Sequence, residues 1–318
     1  MTIKSNFFLQ TNKSHNLDEI NTNDFHDPEQ KRLFDAFKNN MNEVVYVVQS
    51  YFNLMVHAKI QEASGKIFDR NRMLAYADSL RGFYSDDRER INKDASERTR
   101  VEIENGELEK YSILELVINT LNALEKDLVI ETSNKSTLRQ SIVIVWSAIE
   151  SLIRDIIRII LNSDTELASH FFESSEKNTY WQKKQISFEH LKKYNFDLTN
   201  RLGDIALDMN SCSNLSAMRT AISNIFGNNS LSYRSLKSLE FYKLYKLRNV
   251  ISHRNGVVDE KYKSEVSCPE KVGEIVNVTP EVFNSCFLAA KDLALCLIKE
   301  MPKEIRYSNA DNSISSAE

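Results

Sequence analysis

Arg248, Asn249 and His253 are the residue types that metal-free cleavage of RNA requires, and they fall in one short run, Leu247-Arg248-Asn249-Val250-Ile251-Ser252-His253-Arg254-Asn255-Gly256. An imidazole moves protons near neutral pH, a guanidinium holds a permanent charge for a phosphate oxygen, and a side-chain amide both donates and accepts. A free histidine titrates near ~6.5, and a neighbouring cation favours its neutral form, which suits His253 to deprotonating a ribose 2′-hydroxyl. Protonated, it would instead supply the leaving 5′-oxygen. In a chain with six histidines, one fixed Arg-to-His spacing arises by accident in roughly one comparable sequence in three, so context carries the argument.

That context is a helix end. From Ser235 to His253 the residues Leu236, Leu239, Leu244, Leu247 and Ile251 approach helical spacing, which predicts one face against a core. Asn249 and His253 share a face, as do Arg248 and Ser252. Arg254 in the last turn and Asn255-Gly256 beyond it are stop signals. Between Arg234 and Arg254 the basic residues Arg234, Lys237, Lys243, Lys246, Arg248 and Arg254 face the single acid Glu240, interleaved with Phe241, Tyr242 and Tyr245. Lys243, Lys246 and Arg254 are expected to contact the polyanion, with Arg254 also a partner for the helix dipole. Ser252 would donate to substrate or bond back to its own helix, and the second reading is preferred. Tyr242 and Tyr245 would stack on bases or complete a core or dimer face, again with the second preferred.

The elements that position this cluster read as helices. The chain has 318 residues, 42% hydrophobic and 27% charged, with only seven Gly and four Pro, so sharp turns are scarce and a mostly all-α fold is expected. Residues 1–26 read as a flexible lead-in and 303–318 as a flexible tail. Residues 27–132 form an N-terminal helical region: one helix from Pro28 to about Ala63 before Gly65, another from Asp69 to about Lys93, and a third over 112–130. Alternation from Arg98 to Tyr111 around Asn105-Gly106 predicts one short β-hairpin. The polar stretch Thr132–Thr137 marks a boundary. Beyond it a helical bundle over 135–300 begins with the apolar helix Leu138–Leu161. A polar connection follows over Lys177–Lys184, then helical pieces near Phe188–Tyr194, Leu198–Leu207 and Leu215–Ile225. The motif helix comes next, then a loop over Asp259–Glu274, and Val276–Ile298 closes the bundle. Glu150 shares a face with Arg154 and Arg158, which reads first as a salt-bridge ladder and second as an acid beside the motif.

The arrangement Arg248-Asn249 followed by His253 late in a helix resembles the HEPN superfamily, whose nucleases carry an Arg, usually a polar residue after it, and a His a few residues on. Leu138–Leu161, with Trp146-Ser147-Ala148-Ile149-Glu150 at its centre, looks like the apolar first helix of such domains, which often carries an acid, and Val276–Ile298, entered through Thr279-Pro280-Glu281, looks like the closing helix. The likeness covers about half the chain, 135–300. It implies a HEPN-like bundle acting as a metal-independent endoribonuclease in toxin or anti-phage defence, with RNA, tRNA included, as partner and no cofactor. It also implies a homodimer whose two motifs meet, so that a second His253 takes the opposite proton role. A toxin branch continues His-x-Tyr and is controlled through that Tyr; here the position is Asn255, so that control is not implied, while an antitoxin or defence-system partner stays open. The alternative is a non-catalytic HEPN-like RNA-binding or protein-interaction scaffold.

Other chemistries find little footing. His15, His26, His57, His170 and His190 lack metal-ligand spacing with one another or with cysteine. No P-loop, Gly-x-Gly-x-x-Gly or Gly-x-Ser-x-Gly occurs. The net charge of −4 argues against an overall basic coat, so nucleic acid would depend on a local patch. Cys212, Cys268, Cys286 and Cys296 form no Cys-x-x-Cys pair, the opening residues lack a secretion signal, and the apolar run Ile142–Trp146 is too short for a bilayer. A cytoplasmic protein is expected.

Overall fold

A computed structural model describes residues 27–81, 88–124, 126–174, 186–209 and 212–302, together with 17, 20 and 25. The expected lead-in, the tail and the connection over Lys177–Lys184 fall mainly or wholly outside these residues. Among them the fold is all-α, with thirteen α-helices, one 3-10 helix, and a lone antiparallel bridge between Val257 and Ile275 in place of any strand. None of these helices is long and apolar enough to cross a membrane.

The described residues gather into two compact units, one within 48–134 and the other within 17–47 and 135–302. The boundary near 134 lies inside a helix, α5 (Leu128–Ser163), where Thr132–Thr137 suggested a break. The expected 27–132 region is also divided, because its first helix, α1 (Pro28–Val48), belongs with the later residues. Leu33, Phe34, Phe37, Met41 and Val44 of α1 are buried, and Gln30 Nε2 donates to the Ile298 carbonyl at 3.1 Å.

In the first unit α2 (Ser50–Leu80) runs unbroken through Gly65, and the break expected there falls instead at Gln49. A helical Gly costs about 1 kcal/mol; Glu62, paired with Lys59 at 2.9 Å and with Lys66 at 2.8 Å, offsets only part of it. Helix α2 pairs with α3 (Arg88–Glu104) along a narrow seam. Ala63, Ile67, Asn71, Ala75 and Ser79 face Ile91, Ala95 and Thr99, every one of them four residues from the last. Asn71 Nδ2 bridges the middle, donating to Thr99 Oγ1 at 3.3 Å and Glu102 Oε2 at 2.9 Å.

This seam replaces the hairpin expected over Arg98–Tyr111. A period of four at 91, 95 and 99 buries a helical face and leaves Lys93 and Glu97 exposed, whereas a strand would place those two charges on the same face as the buried residues. Arg100 reinforces it by pairing with Glu97 at 2.5 Å and Glu104 at 2.7 Å. Asn105-Gly106, with Gly106 at φ 85°, ends the helix and leads into the 3-10 helix Glu107–Tyr111 before α4 (Ile113–Leu124). Asn-Gly serves a helix stop as well as a hairpin turn.

In the second unit α5 buries Leu138, Ile142, Val145, Trp146, Ile149, Leu152, Ile153, Ile156 and Ile157, whose spacings of three and four line one broad face against the core. Next come α6 (Thr165–Ser174), α7 (Phe188–Lys193), α8 (Leu202–Met209), α9 (Leu215–Phe226) and α10 (Leu231–Leu236). A Cβ at Gly203 would stand 2.3 Å from the Arg158 carbonyl oxygen, so only glycine lets α8 approach α5 there. The motif helix α11 (Leu239–Arg254), the short α12 (Glu260–Glu265) and α13 (Pro280–Glu300) complete the unit. Helix α13 packs on α10 and α11, burying Phe283, Phe287, Leu293 and Leu297. Its Glu300 carboxylate accepts the Leu231 N–H at 2.6 Å and the Ser232 N–H at 3.0 Å, satisfying donors that open α10.

Candidate functional site

The motif helix starts later than periodicity suggested. Ser238 Oγ accepts the Phe241 N–H at 3.2 Å and opens α11 afresh after α10. That cap resets the register: Leu239, expected in the core, is 59% exposed, and Phe241 takes the buried place beside Leu244, Leu247, Val250 and Ile251. Burying each such side chain contributes about 1.5–3 kcal/mol, so α11 is held by one face and its other face is free to present polar groups. Ile251, on the face expected against a core, is buried within the chain. Asn255 at φ 52° and Gly256 at φ 81° end the helix, with the Gly256 N–H donating to the Val250 carbonyl at 3.0 Å.

Arg248, Asn249 and His253 line one cleft of about 350 Å³. Lys246, Arg254, Ser213, Asn214, Asp259, Lys261, Tyr262 and Glu265 also contribute to its walls. Of the expected contacts, Lys246 and Arg254 are therefore brought to the motif. Ser252 is exposed and lines no part of this cleft, and Lys243 lines a separate cavity with Leu247, Val276 and Thr279.

Arg248 is held on several sides. Its Nη1 donates to Asn249 Oδ1 at 3.0 Å, its Nη2 stands 3.9 Å from Glu150 Oε2, and its Cζ lies 5.7 Å from the Trp146 ring centre. The same Glu150 oxygen accepts the Trp146 indole N–H at 2.9 Å. Glu150 thus sits beside the motif, and the ladder reading is corrected: Arg158 pairs with Asp155 instead. Arg248 Nε is buried without a hydrogen-bond partner among the described residues, a desolvated donor of the kind that native folds seldom leave. His253 is exposed and, among the described residues, makes no hydrogen bond or ion pair.

Two of the other cleft cations, Lys246 and Arg254, carry carboxylate partners. Lys246 pairs with Glu265 and stands 5.3 Å from the Tyr242 ring centre and 5.7 Å from that of Tyr245. Burial pulls its ammonium down, but Glu265 and Tyr242 outweigh this and hold it above the ordinary lysine range. Tyr245 itself lies 5.3 Å from Trp146 and so is engaged in aromatic packing. Arg254 Nη2 meets Asp259 Oδ2 at 3.3 Å.

Asp259, Lys261 and Glu265 lie where a loop was expected. Asp259 Oδ1 accepts the Tyr262 N–H at 2.7 Å and caps α12, a short helix whose Tyr262 is buried. An Asp three residues before that aromatic was the available signal. No family model, curated protein or solved structure matches the chain.

Proposed function

We propose that the second unit is a HEPN-type, metal-independent endoribonuclease with Arg248, Asn249 and His253 at its centre. The observation that carries this reading is that one open cleft collects all three with Lys246, Lys261 and Arg254, an arrangement of proton-transfer group, phosphate-oxygen partner and backbone-tracking cations. In the reaction His253 takes the ribose 2′-hydroxyl proton, the 2′-oxygen attacks phosphorus, and the bond to the 5′-oxygen breaks. A second His253, from a twofold-related copy, delivers the proton to the departing oxygen. Arg248 stabilises the charge that builds on the non-bridging oxygens. The products are a 2′,3′-cyclic phosphate and a 5′-hydroxyl, so protons balance and no oxidant or metal is consumed. Toxin or anti-phage action in the cytoplasm, on tRNA or other RNA, is the setting we attach to this reading, with an antitoxin or defence partner left open.

A second reading, a non-cleaving RNA-binding or scaffold module, is favoured by one specific observation. His253 has no partner among the described residues to fix its ring, whereas acid-base histidines are usually oriented by a third group. Purified full-length protein incubated with total RNA in chelator, beside His253→Ala, separates the two. Cleavage lost in the variant supports the nuclease; binding without cleavage by the wild type supports the module.

A further inference from the structure

Two of the cations that would track an RNA backbone already hold an anion of the same chain. Glu265 sits on Lys246 and Asp259 on Arg254, and both carboxylates come from α12 and the residue that caps it. Lys261, on the same short helix, has no such partner among the described residues. The element carrying these groups is anchored: Tyr262 is buried, and Lys263 Nζ donates to the carbonyls of Cys268 at 2.5 Å and Glu270 at 2.6 Å. The Glu265 side chain is therefore free to swing aside while the helix stays in place, whereas Asp259 stays on its cap and the exposed Arg254 guanidinium is the group that moves.

Building on the RNA reading above, we propose that Asp259 and Glu265 are specificity-determining residues. They occupy phosphate positions in the free protein and make the cleft select strands over single phosphates. The physical reason is exchange. A lone phosphate that displaces one carboxylate swaps one anion for another at nearly equal energy, and the displaced carboxylate remains close enough to repel it. A strand engages Lys261, Lys246 and Arg254 together, so later contacts form at high effective concentration and the losses at two of them are recovered collectively. Mononucleotides and free phosphate are screened out.

The test uses the full chain with a labelled 2′-O-methylated oligouridylate, which lacks the attacking hydroxyl, beside uridine monophosphate. Asn at 259 can still accept the Tyr262 N–H, and position 265 caps nothing, so Asp259→Asn and Glu265→Gln keep α12 formed; circular dichroism checks this. Each variant is expected to bind the oligomer about fivefold tighter. Uridine monophosphate should gain proportionally more, so the oligomer-to-mononucleotide preference falls. Glu260→Gln, on the same helix but outside the cleft, should change neither. Unchanged or weaker oligomer binding in both variants, while Arg248→Ala still weakens it, overturns the screening role and leaves the RNA reading standing. An equal gain from Glu260→Gln overturns it also, by reducing the effect to net charge. Failure of every chain to bind the oligomer removes this inference and the RNA reading together.

Discussion

Trp146 and Glu150, one turn apart on α5, act as a unit toward the motif: the indole N–H fixes Glu150 Oε2 at 2.9 Å, and that same oxygen faces Arg248 Nη2 at 3.9 Å. The Arg248 and Glu150 side chains are each only 20% exposed, so the pair is screened less than a surface bridge. Glu150→Gln keeps an acceptor for the indole and is expected to cost about 0.5–1 kcal/mol, whereas Glu150→Ala strands both the indole and the guanidinium and should cost about 2–3 kcal/mol. Equal urea midpoints for the two variants would show that the indole bond contributes nothing.

The two motif residues should part company in stability. His253 touches no polar partner among the described residues, so His253→Ala should leave the unfolding free energy within about 0.5 kcal/mol of wild type. Arg248→Ala removes a contact to Trp146 and leaves Glu150 uncompensated, and should cost about 1–2 kcal/mol. Both should abolish RNA cleavage. Thermal melts run beside the cleavage assay measure both quantities, and wild-type turnover by either folded variant sinks the nuclease reading.

Cleavage should proceed in chelator and leave a 2′,3′-cyclic phosphate on the upstream fragment, because the residues collected at the cleft transfer protons. Mass spectrometry of the fragments reads the ends directly. A strict magnesium requirement with 3′-hydroxyl products would mean a different mechanism.

If the base and acid are histidines of two chains, adding inactive His253→Ala protein to wild type should depress activity beyond dilution, since each mixed dimer holds one imidazole. Sedimentation at assay concentration provides the companion measurement. An active monomer contradicts the shared site.

The buried thiols offer a check on the core. Burial pushes Cys212 and Cys286 up to about 12. Both should resist a disulfide reagent at pH 8 in the native protein and react once it is denatured. The sign follows from linkage: with the folded value raised above the ordinary thiol value near ~8.5, their contribution to stability is intact below that value and is lost as pH rises toward 12. Rapid native labelling of either would place it outside the core.

The sequence made the helical character legible because Gly and Pro are scarce and the apolar spacing of α5 and α13 is long and regular. The convergence of Arg248, Asn249 and His253 was legible for a related reason: residues one and five positions apart on a single helix end can reach one opening. What escaped depended on capping and on contacts distant in sequence. Ser238 starts a new helix and turns Leu239 outward, which a continuous stripe through Ser235–His253 could not register. Asn105-Gly106 has two uses, and only the four-residue seam on α3 decides between them. Glu150 chose Trp146 and Arg248 over Arg154 and Arg158 because a helix remote in sequence lies against its face.

The Glu300 carboxylate that closes the first turn of α10 comes 69 residues after Leu231. During synthesis, α10 and the motif helix behind it leave the ribosome well before that acceptor exists, so the open N–H groups of Leu231 and Ser232 wait on water until α13 docks. The helix that packs on α11 is therefore added after the cleft's own lining, all of it within 213–265, has been made. A nascent chain at that stage would carry Arg248 and His253 on a helix that still lacks α13 against its buried face.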